Sequence, residues 1–524
     1  MGRRPVAVAL VAFGLLMAAC VALGLARTGG GWAYALDDAY IHLALGRTLA
    51  EGGGWGLVPG QFDGVSSSPL WTLLVALARP RPGAATLWPF ALNLLFGGLL
   101  LAAADLFLAR RGLAAGERLR ALLLLVLLTP LPALAIGGME HLLQAWLALL
   151  WLGVALPRLG TGAPPGAGLL ALSALLCAAR PEGAFLVVPG AVLFARRGRR
   201  AGALGLLAAG AAPWALYAAL SLRAGGSWLP DSLLLKGRGL DLRSPAASLR
   251  SLLLPLWAEL RNPLSPFALH LILFIVAGAL VWRRREQLAL DAEQRAGVAL
   301  LLAALVLQLV YGGVGWFFRY ESWLVALGLA MAFTLPGAPG SWRGRPRGAL
   351  ALLGLLLLVA LGARSAVSLR RIPLAMGNVA GQQLQVARYL EGHHAGETVV
   401  LDDIGAPSFY ARVRAVDPLG LATPALARAR REGRLGAALA AETARRGARV
   451  ALLHPGLFEG EIPAAWVPLL EWTIPDNVVC SRPTVAVYAC TPADGAALRA
   501  ELADFAASLP PDLVAKAMLD AHSR

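Results

Sequence analysis

Two adjacent carboxylates, Asp37 and Asp38, open the segment DDAYIHLALGRTLAEGGGW, soon after the first long apolar run of the chain. A carboxylate in that place can accept a proton from a hydroxyl or bind a divalent cation. Asp is also a good helix N-cap, and Asp37 before AYIHLALGRTLA fits that use. The two readings are compatible, because one Asp can cap while the other works.

Other polar clusters stand at the ends of apolar runs. GGSWLPDSLLLKGRG carries Lys236 and Arg238, with Arg223 just before it. Cations there suit a phosphate at the headgroup level, and a solvated loop is the plainer reading. Trp316, Arg319, Tyr320 and Glu321 form another cluster, in which Trp and Tyr also serve as interfacial anchors. Glu140 and His141 form a third. Arg180 and Glu182 lie in the turn RPEG between two short apolar pieces. His42 and His141 show no paired metal-ligand spacing, and there is no C-x-x-C. A divalent cation is therefore open only at Asp37 and Asp38.

The elements that must hold these residues are apolar. The 524 residues are 58% hydrophobic and 15% charged, with mean hydropathy +0.64. Ordinary soluble domains are about 25% charged. The excess collects in runs at 5–25, 86–109, 119–137, 141–157, 202–221, 264–282, 296–312, 320–336 and 348–366. Runs of about 18–20 apolar residues are long enough to cross a bilayer as helices. The net charge of +16 does not mark a nucleic-acid binder. Arg3–Arg4, Arg110–Arg111, Arg196–Arg200, Arg283–Arg285 and Arg343–Arg347 all sit at ends of apolar runs, as the positive-inside rule expects of cytoplasmic loops. No basic tract is interleaved with aromatics.

The N-terminus has the charged and apolar regions of a secretory signal, ending near Cys20. The apolar run continues through VALGLA, so a retained first membrane helix is expected. With the N-terminus in the cytoplasm, the nine runs alternate and leave large outer loops at 27–84 and 222–262. SPLWTLLVAL (68–77) is too short to span and reads as a surface helix. The stretch 166–195, bounded by cytoplasmic-looking ends, reads as a re-entrant pair or two short helices. The expected fold is an α-helical polytopic membrane domain over 1–366, with about nine crossings plus that pair. Residues 367–524 lack a spanning run and alternate strand-like and helix-like pieces, as in a small extracytoplasmic α/β domain. Cys480 and Cys490 flank a hairpin-like stretch, where a disulfide and two free thiols are both open.

The motifs together resemble a GT-C-type membrane glycosyltransferase family: the terminal β-arabinofuranosyltransferases of actinobacterial cell-wall synthesis and their uncharacterised bacterial relatives. The likeness rests on DDAYIHLALGRTLAEGGGWGLVPGQ followed by GVSSSPLWTLLVAL, then GGMEHLLQAWLALL, CAARPEGAFLVV, GGSWLPDSLLLKGR, GWFFRYESWLVAL and VLDDIGAPSFYARVRAVDPLGLATP, in order over about residues 32–425. It implies a GT-C-like bundle in a bacterial inner membrane. It implies a polyprenyl-phosphate-linked sugar as donor and a glycan, lipid or protein hydroxyl as acceptor. It implies that Asp37 or Asp38 acts as general base. By the same likeness Lys236, Arg238 and Arg319 hold the leaving phosphate, and Glu140, Glu182, Arg180, Tyr320 and His42 contribute to substrate binding. Asp231, His141 and His42 depart from the family pattern, so only the framework matches. Two other readings stand beside it. A transporter would show inverted repeats and midplane charges. A non-catalytic, glycan-binding membrane scaffold would tolerate loss of the acidic pair.

Overall fold

The computed structural model describes residues 4–236, 269–315, 317–336 and 348–517. Arg238, Trp316, the basic run 343–347 and the second expected loop beyond 236 lie outside these residues, and of Lys236 only the backbone is described.

Long uncharged runs become helices because a chain in hydrocarbon must satisfy its backbone groups internally. Among the described residues six helical stretches are long and apolar enough to cross a membrane: Arg4–Arg27 (α1), Ala84–Ala109 (a 3-10 turn leading into α4, Trp88–Ala109), His141–Thr161 (α7), Arg200–Arg223 (α10), Ala292–Tyr311 (α13) and Ala349–His393. The last comprises Ala349–Gly381 (α15) and Gln383–His393 (α16), separated at Gln382. Three shorter apolar helices accompany them: Ala167–Ala179 (α8), Leu269–Arg283 (α12) and Ser322–Ala332 (α14). Six of the nine expected runs thus have spanning length among the described residues. The run 119–137 differs most. It is divided into Ala115–Leu128 (α5) and Leu131–Ile136 (α6), because Pro130 lacks an N–H and its ring clashes with the preceding turn.

The stretch 166–195 folds as a helical hairpin of α8 and Ala184–Arg196 (α9), with Arg180–Gly183 at its tip. Its two feet meet where Arg199 Nε donates to the Gly162 carbonyl at 2.8 Å. Its tip reaches the middle of α10, where Trp214 Nε1 donates to the Cys177 carbonyl at 3.0 Å. Small residues allow the bundle to close. At Gly97 of α4 a Cβ would stand 3.0 Å from the Phe13 ring of α1.

The two ends of the bundle differ in charge. One end gathers arginines at helix termini, and Arg111 pairs there with Glu293 at 3.4 Å. The other end carries two short helices, Asp38–Ala50 (α2) and Pro69–Ala76 (α3), with Asp231–Lys236 (α11) beside them. Here the Asp231 N–H donates to Gly64 O at 2.8 Å.

Helix α15 carries the chain without a break from this bundle into a six-stranded sheet domain. Its strands are Thr398–Leu401 (β1), Arg414–Val416 (β2), Val450–Leu453 (β3), Val467–Thr473 (β4), Thr484–Ala489 (β5) and Val514–Ala517 (β6). The order is β2-β1-β3-β5-β4-β6. β2, β1 and β3 are parallel; β5, β4 and β6 pair antiparallel. Helices Gly405–Ala411 (α17), Pro424–Arg431 (α18), Leu435–Arg446 (α19) and Gly495–Ala507 (α20) flank the sheet. Trp472 of β4 is fully buried and donates from Nε1 to Gly381 O at 3.1 Å, which fastens the sheet to the end of α15.

The cysteines are unpaired. The hairpin is formed by β4 and β5, so Cys480 falls in its connection and Cys490 just past the far end of β5. The six residues of β5 set them about 20 Å apart at 3.2–3.4 Å per residue.

Candidate functional site

Helix α2 begins at Asp38, and Asp37 stands at its N-cap, but the Asp37 side chain makes no cap bond there. Its carboxylate instead accepts from the N–H groups of Gly405 (2.7 Å) and Ala406 (2.8 Å), at the start of α17 in the sheet domain. Residue 405 has to be glycine, because a Cβ would collide with the Asp37 carbonyl and carboxylate oxygens. The expected cap is thus corrected: Asp37 holds a helix end 368 residues away in sequence rather than its own.

Asp38 Oδ2 lies 2.5 Å from Arg319 Nη2. Arg319 sits on a tight turn in which Phe317 and Phe318 both take left-handed backbone angles, φ 57° and 64°. Such angles are costly without glycine and persist only where surroundings impose them. A fully buried pair imposes them here. Glu321 accepts from Arg364 Nη2 at 2.7 Å and from Gly315 N at 2.9 Å, while Arg364 also donates to Phe318 O at 2.6 Å. Replacing Arg364 by Met alone leaves the buried Glu321 charge, among the described residues, with only the Gly315 N–H and His270, 3.6 Å away, and we expect a loss of about 3–5 kcal/mol. The combination Arg364→Met with Glu321→Gln is expected to recover most of it. Thermal unfolding of the purified protein in detergent reads both, and equal stability of the single variant and wild type would refute the pairing.

Arg180, at the tip of the α8–α9 hairpin, forks onto Glu182 at 2.7 and 3.0 Å and reaches Glu140 Oε1 at 2.5 Å. The Tyr320 ring lies near both guanidiniums, 5.6 Å from that of Arg180 and 5.1 Å from that of Arg319. His42 meets Thr72 Oγ1 at 3.0 Å through Nδ1 and is 3.8 Å from Glu140 Oε2 through Nε2. Burial favours its neutral form, although Glu140 opposes this.

These groups surround a cavity of about 520 Å³ between bundle and sheet domain. Asp37, Asp38, His42, Arg180, Glu182, Arg319 and Tyr320 line it. Glu140 is fully buried behind Arg180. Lys236 lies one turn beyond Ser232 and Leu233, which also line the cavity. Arg319 is only 3% exposed, and its Nε and Nη1 have no hydrogen-bond partner among the described residues. Asp37 is engaged by two backbone N–H groups of the sheet domain and Asp38 by Arg319. Among the described residues no three His, Cys, Asp or Glu side chains converge on one point. A separate pocket of about 280 Å³ is lined by Arg47, Glu51, Arg79 and Arg81. There Arg47 donates to the carbonyls of Ser408 and Phe409, and the exposed Glu51 pairs with Arg412.

Sequence reasoning missed the wall contributed by the sheet domain. Asp402 and Asp403 follow β1 directly and line the same cavity as Arg319 and Tyr320. The signal was a second adjacent acidic pair, LDDIG, at the C-terminal end of a strand where α/β sheets commonly place ligands. Burial and the neighbouring Asp403 push the Asp37 carboxyl above the usual carboxylate range, against the pull of its two backbone N–H donors. Burial likewise raises Asp403, opposed by His454.

His454 is charged on geometric grounds. Gln382 Nε2 donates to the carbonyls of Arg482 and Pro483, both at 3.1 Å, so its Oε1 must face His454 Nε2 at 2.9 Å. Nδ1 donates to Asp402 at 2.8 Å. Both ring nitrogens therefore carry protons. Burial works against the charge, but Asp402 and Asp403 outweigh it and hold the pKa at about 9. A raised folded-state pKa gives stability that is complete below about 6.5 and is lost as pH rises through about 9. We expect the unfolding temperature of wild type to fall between pH 7 and 10, and that of His454→Gln to fall less. Parallel curves for the two proteins would rule out the charged histidine.

Three comparisons bear on this architecture. A family model for a domain of unknown function (DUF8728) matches residues 376–488, which hold Asp402, Asp403 and His454. No curated protein matches the chain. Among solved structures, the chain is similar to ArnT from Cupriavidus metallidurans in the apo state, with 12% identity and a TM-score of 0.49 over 92% of this chain and 98% of that one. At that distance the likeness transfers no activity.

Proposed function

We propose that this chain is a membrane glycosyltransferase that moves a sugar from a polyprenyl-phosphate carrier to an acceptor hydroxyl. One observation carries the reading: a held carboxylate, Asp37, and a buried arginine with unpartnered nitrogens, Arg319, share one cavity at the end of an apolar bundle. That pairing suits displacement of a phosphate by a hydroxyl. Asp37 removes the hydroxyl proton as the acceptor oxygen bonds to the anomeric carbon. The bond from that carbon to the phosphate oxygen breaks, and the polyprenyl phosphate leaves with the electron pair. Arg319 meets the developing charge, and Lys236 and Arg238 are further candidates for this. Asp38 orients Arg319. Arg180 and Glu182, braced by Glu140, shape the sugar's surroundings with Tyr320 and His42.

The positive-inside rule supports the orientation. With the arginine-rich end in the cytoplasm, the cavity and sheet domain face outward, as in a bacterial inner-membrane enzyme using lipid-linked sugars. The donor class itself comes from the sequence resemblance. The test is sugar transfer by membranes supplied with radiolabelled polyprenyl-phosphate sugars and an envelope extract as acceptor. Transfer above that of protein-free membranes supports the reading, and its absence with every donor sinks it.

A further inference from the structure

The cavity is polarised. Its bundle wall presents Arg180 and Arg319 beside Glu182, Asp38 and Asp37, which are engaged by Arg180, by Arg319 and by two backbone N–H groups respectively, while among the described residues its sheet-domain wall presents Asp402, Asp403 and Ser481 without an arginine or lysine. The cavity is more than a cluster of acids, because the 3%-exposed Arg319 that lines it keeps two nitrogens unpartnered among the described residues. A phosphate finds its cation at Arg319 and none on the sheet-domain wall among the described residues. What the sheet wall can take is a hydrogen-bond donor without negative charge.

Asp403 is held for such a task. Its Oδ2 accepts from Gln383 Nε2 at 2.6 Å and lies 3.9 Å from His454 Nε2. Gln383 is itself positioned, accepting from the Cys480 thiol at 3.4 Å. The His454 cation lies beneath the wall, fully buried, so it supports the Asp403 charge without reaching the cavity. Asp403 is two residues before Gly405, whose N–H holds Asp37, so both carboxylates face the same part of the cavity. At about 520 Å³ the space is within the range of ligand sites and has room beside a donor sugar.

We propose that Asp403, held by Gln383 and joined by Ser481, is the subsite for a neutral, polyhydroxylated acceptor, a glycan whose adjacent hydroxyls donate to the Asp403 carboxylate. This rests on the transferase reading and assigns acceptor recognition to the sheet domain. One hydroxyl bound by Asp403 leaves its neighbour beside Asp37. An acidic sugar is excluded by the carboxylates on both walls.

Binding is testable apart from transfer. The full chain in nanodiscs is examined by saturation-transfer NMR with methyl α-mannoside, methyl β-galactoside, methyl α-arabinofuranoside and a methyl glucuronide as probes. At least one neutral glycoside is expected to receive saturation from wild type, about tenfold less from Asp403→Asn, and the glucuronide none. Should Asp403→Asn not fold, Asp403→Glu keeps the charge beside His454 but displaces the oxygens, and the same loss is expected. Where transfer is measured, Asp403→Asn is expected to raise the acceptor KM about tenfold with donor KM unchanged. Equal saturation in variant and wild type, binding of the glucuronide, or no binding of any neutral probe by wild type overturns the proposal. Asp403-dependent glycoside binding without sugar transfer would retain the subsite and remove the transferase reading, so the two fail separately.

Discussion

Asp37→Asn is expected to lower sugar transfer by about 10³-fold, within the 10²–10⁴ that general-base catalysis contributes. The carboxylate is fixed by the N–H groups of Gly405 and Ala406. An asparagine oxygen replaces one of those acceptors, but its amide donors then face the second N–H, and the group cannot take a proton. Asp38→Asn serves as the comparison. It removes a charged hydrogen bond from Arg319 but no base, so a loss of roughly 10- to 150-fold is expected, equivalent to about 1.5–3 kcal/mol. The pH profile sharpens the assignment. Because burial and Asp403 raise the Asp37 carboxyl, the base is protonated and transfer is lost as pH falls, with an acid limb above the usual carboxylate range. Asp403→Asn removes a like charge and is expected to shift that limb downward. Near wild-type transfer by inserted, folded Asp37→Asn would remove Asp37 from the chemistry.

Arg319→Ala is expected to lower transfer by about 10²–10³-fold, the usual effect of deleting one preorganised group that stabilises developing negative charge. Inhibition by the product, polyprenyl phosphate, should weaken in parallel, because the same guanidinium holds product and transition state. Arg319→Lys is expected to recover only part, since an ammonium lacks the planar fork that meets Asp38 and a phosphate together. Arg319→Ala also leaves Asp38 without its partner, which by itself disturbs the site. The double variant Arg319→Gln with Asp38→Asn removes both charges and separates the effects. If Arg319 only restrains Asp38, that double variant regains transfer. If Arg319 meets phosphate, it stays inactive while folding normally, and unchanged product inhibition in either variant would refute the phosphate role.

Much of this was legible in the order of residues. Hydropathy is a local property, so runs such as 5–25 and 202–221 announced helices that formed with little change. The acidic pair after the first run and the strand pieces TVVL and TVAVYA were equally plain. Proline acts locally too, and Pro130 is a visible reason for the division of 119–137 that an apolar count passes over. Tertiary structure decided the partners. Asp37 binds the start of a helix 368 residues on, Arg319 meets Asp38 across 281, and Arg180 reaches Glu140 across 40. No periodicity encodes such pairs, because which side chains meet depends on how whole helices pack. Asp402 and Asp403 stood in the sequence as openly as Asp37 and Asp38. Only the docking of the sheet domain on the bundle turned a strand end into a wall of the same cavity.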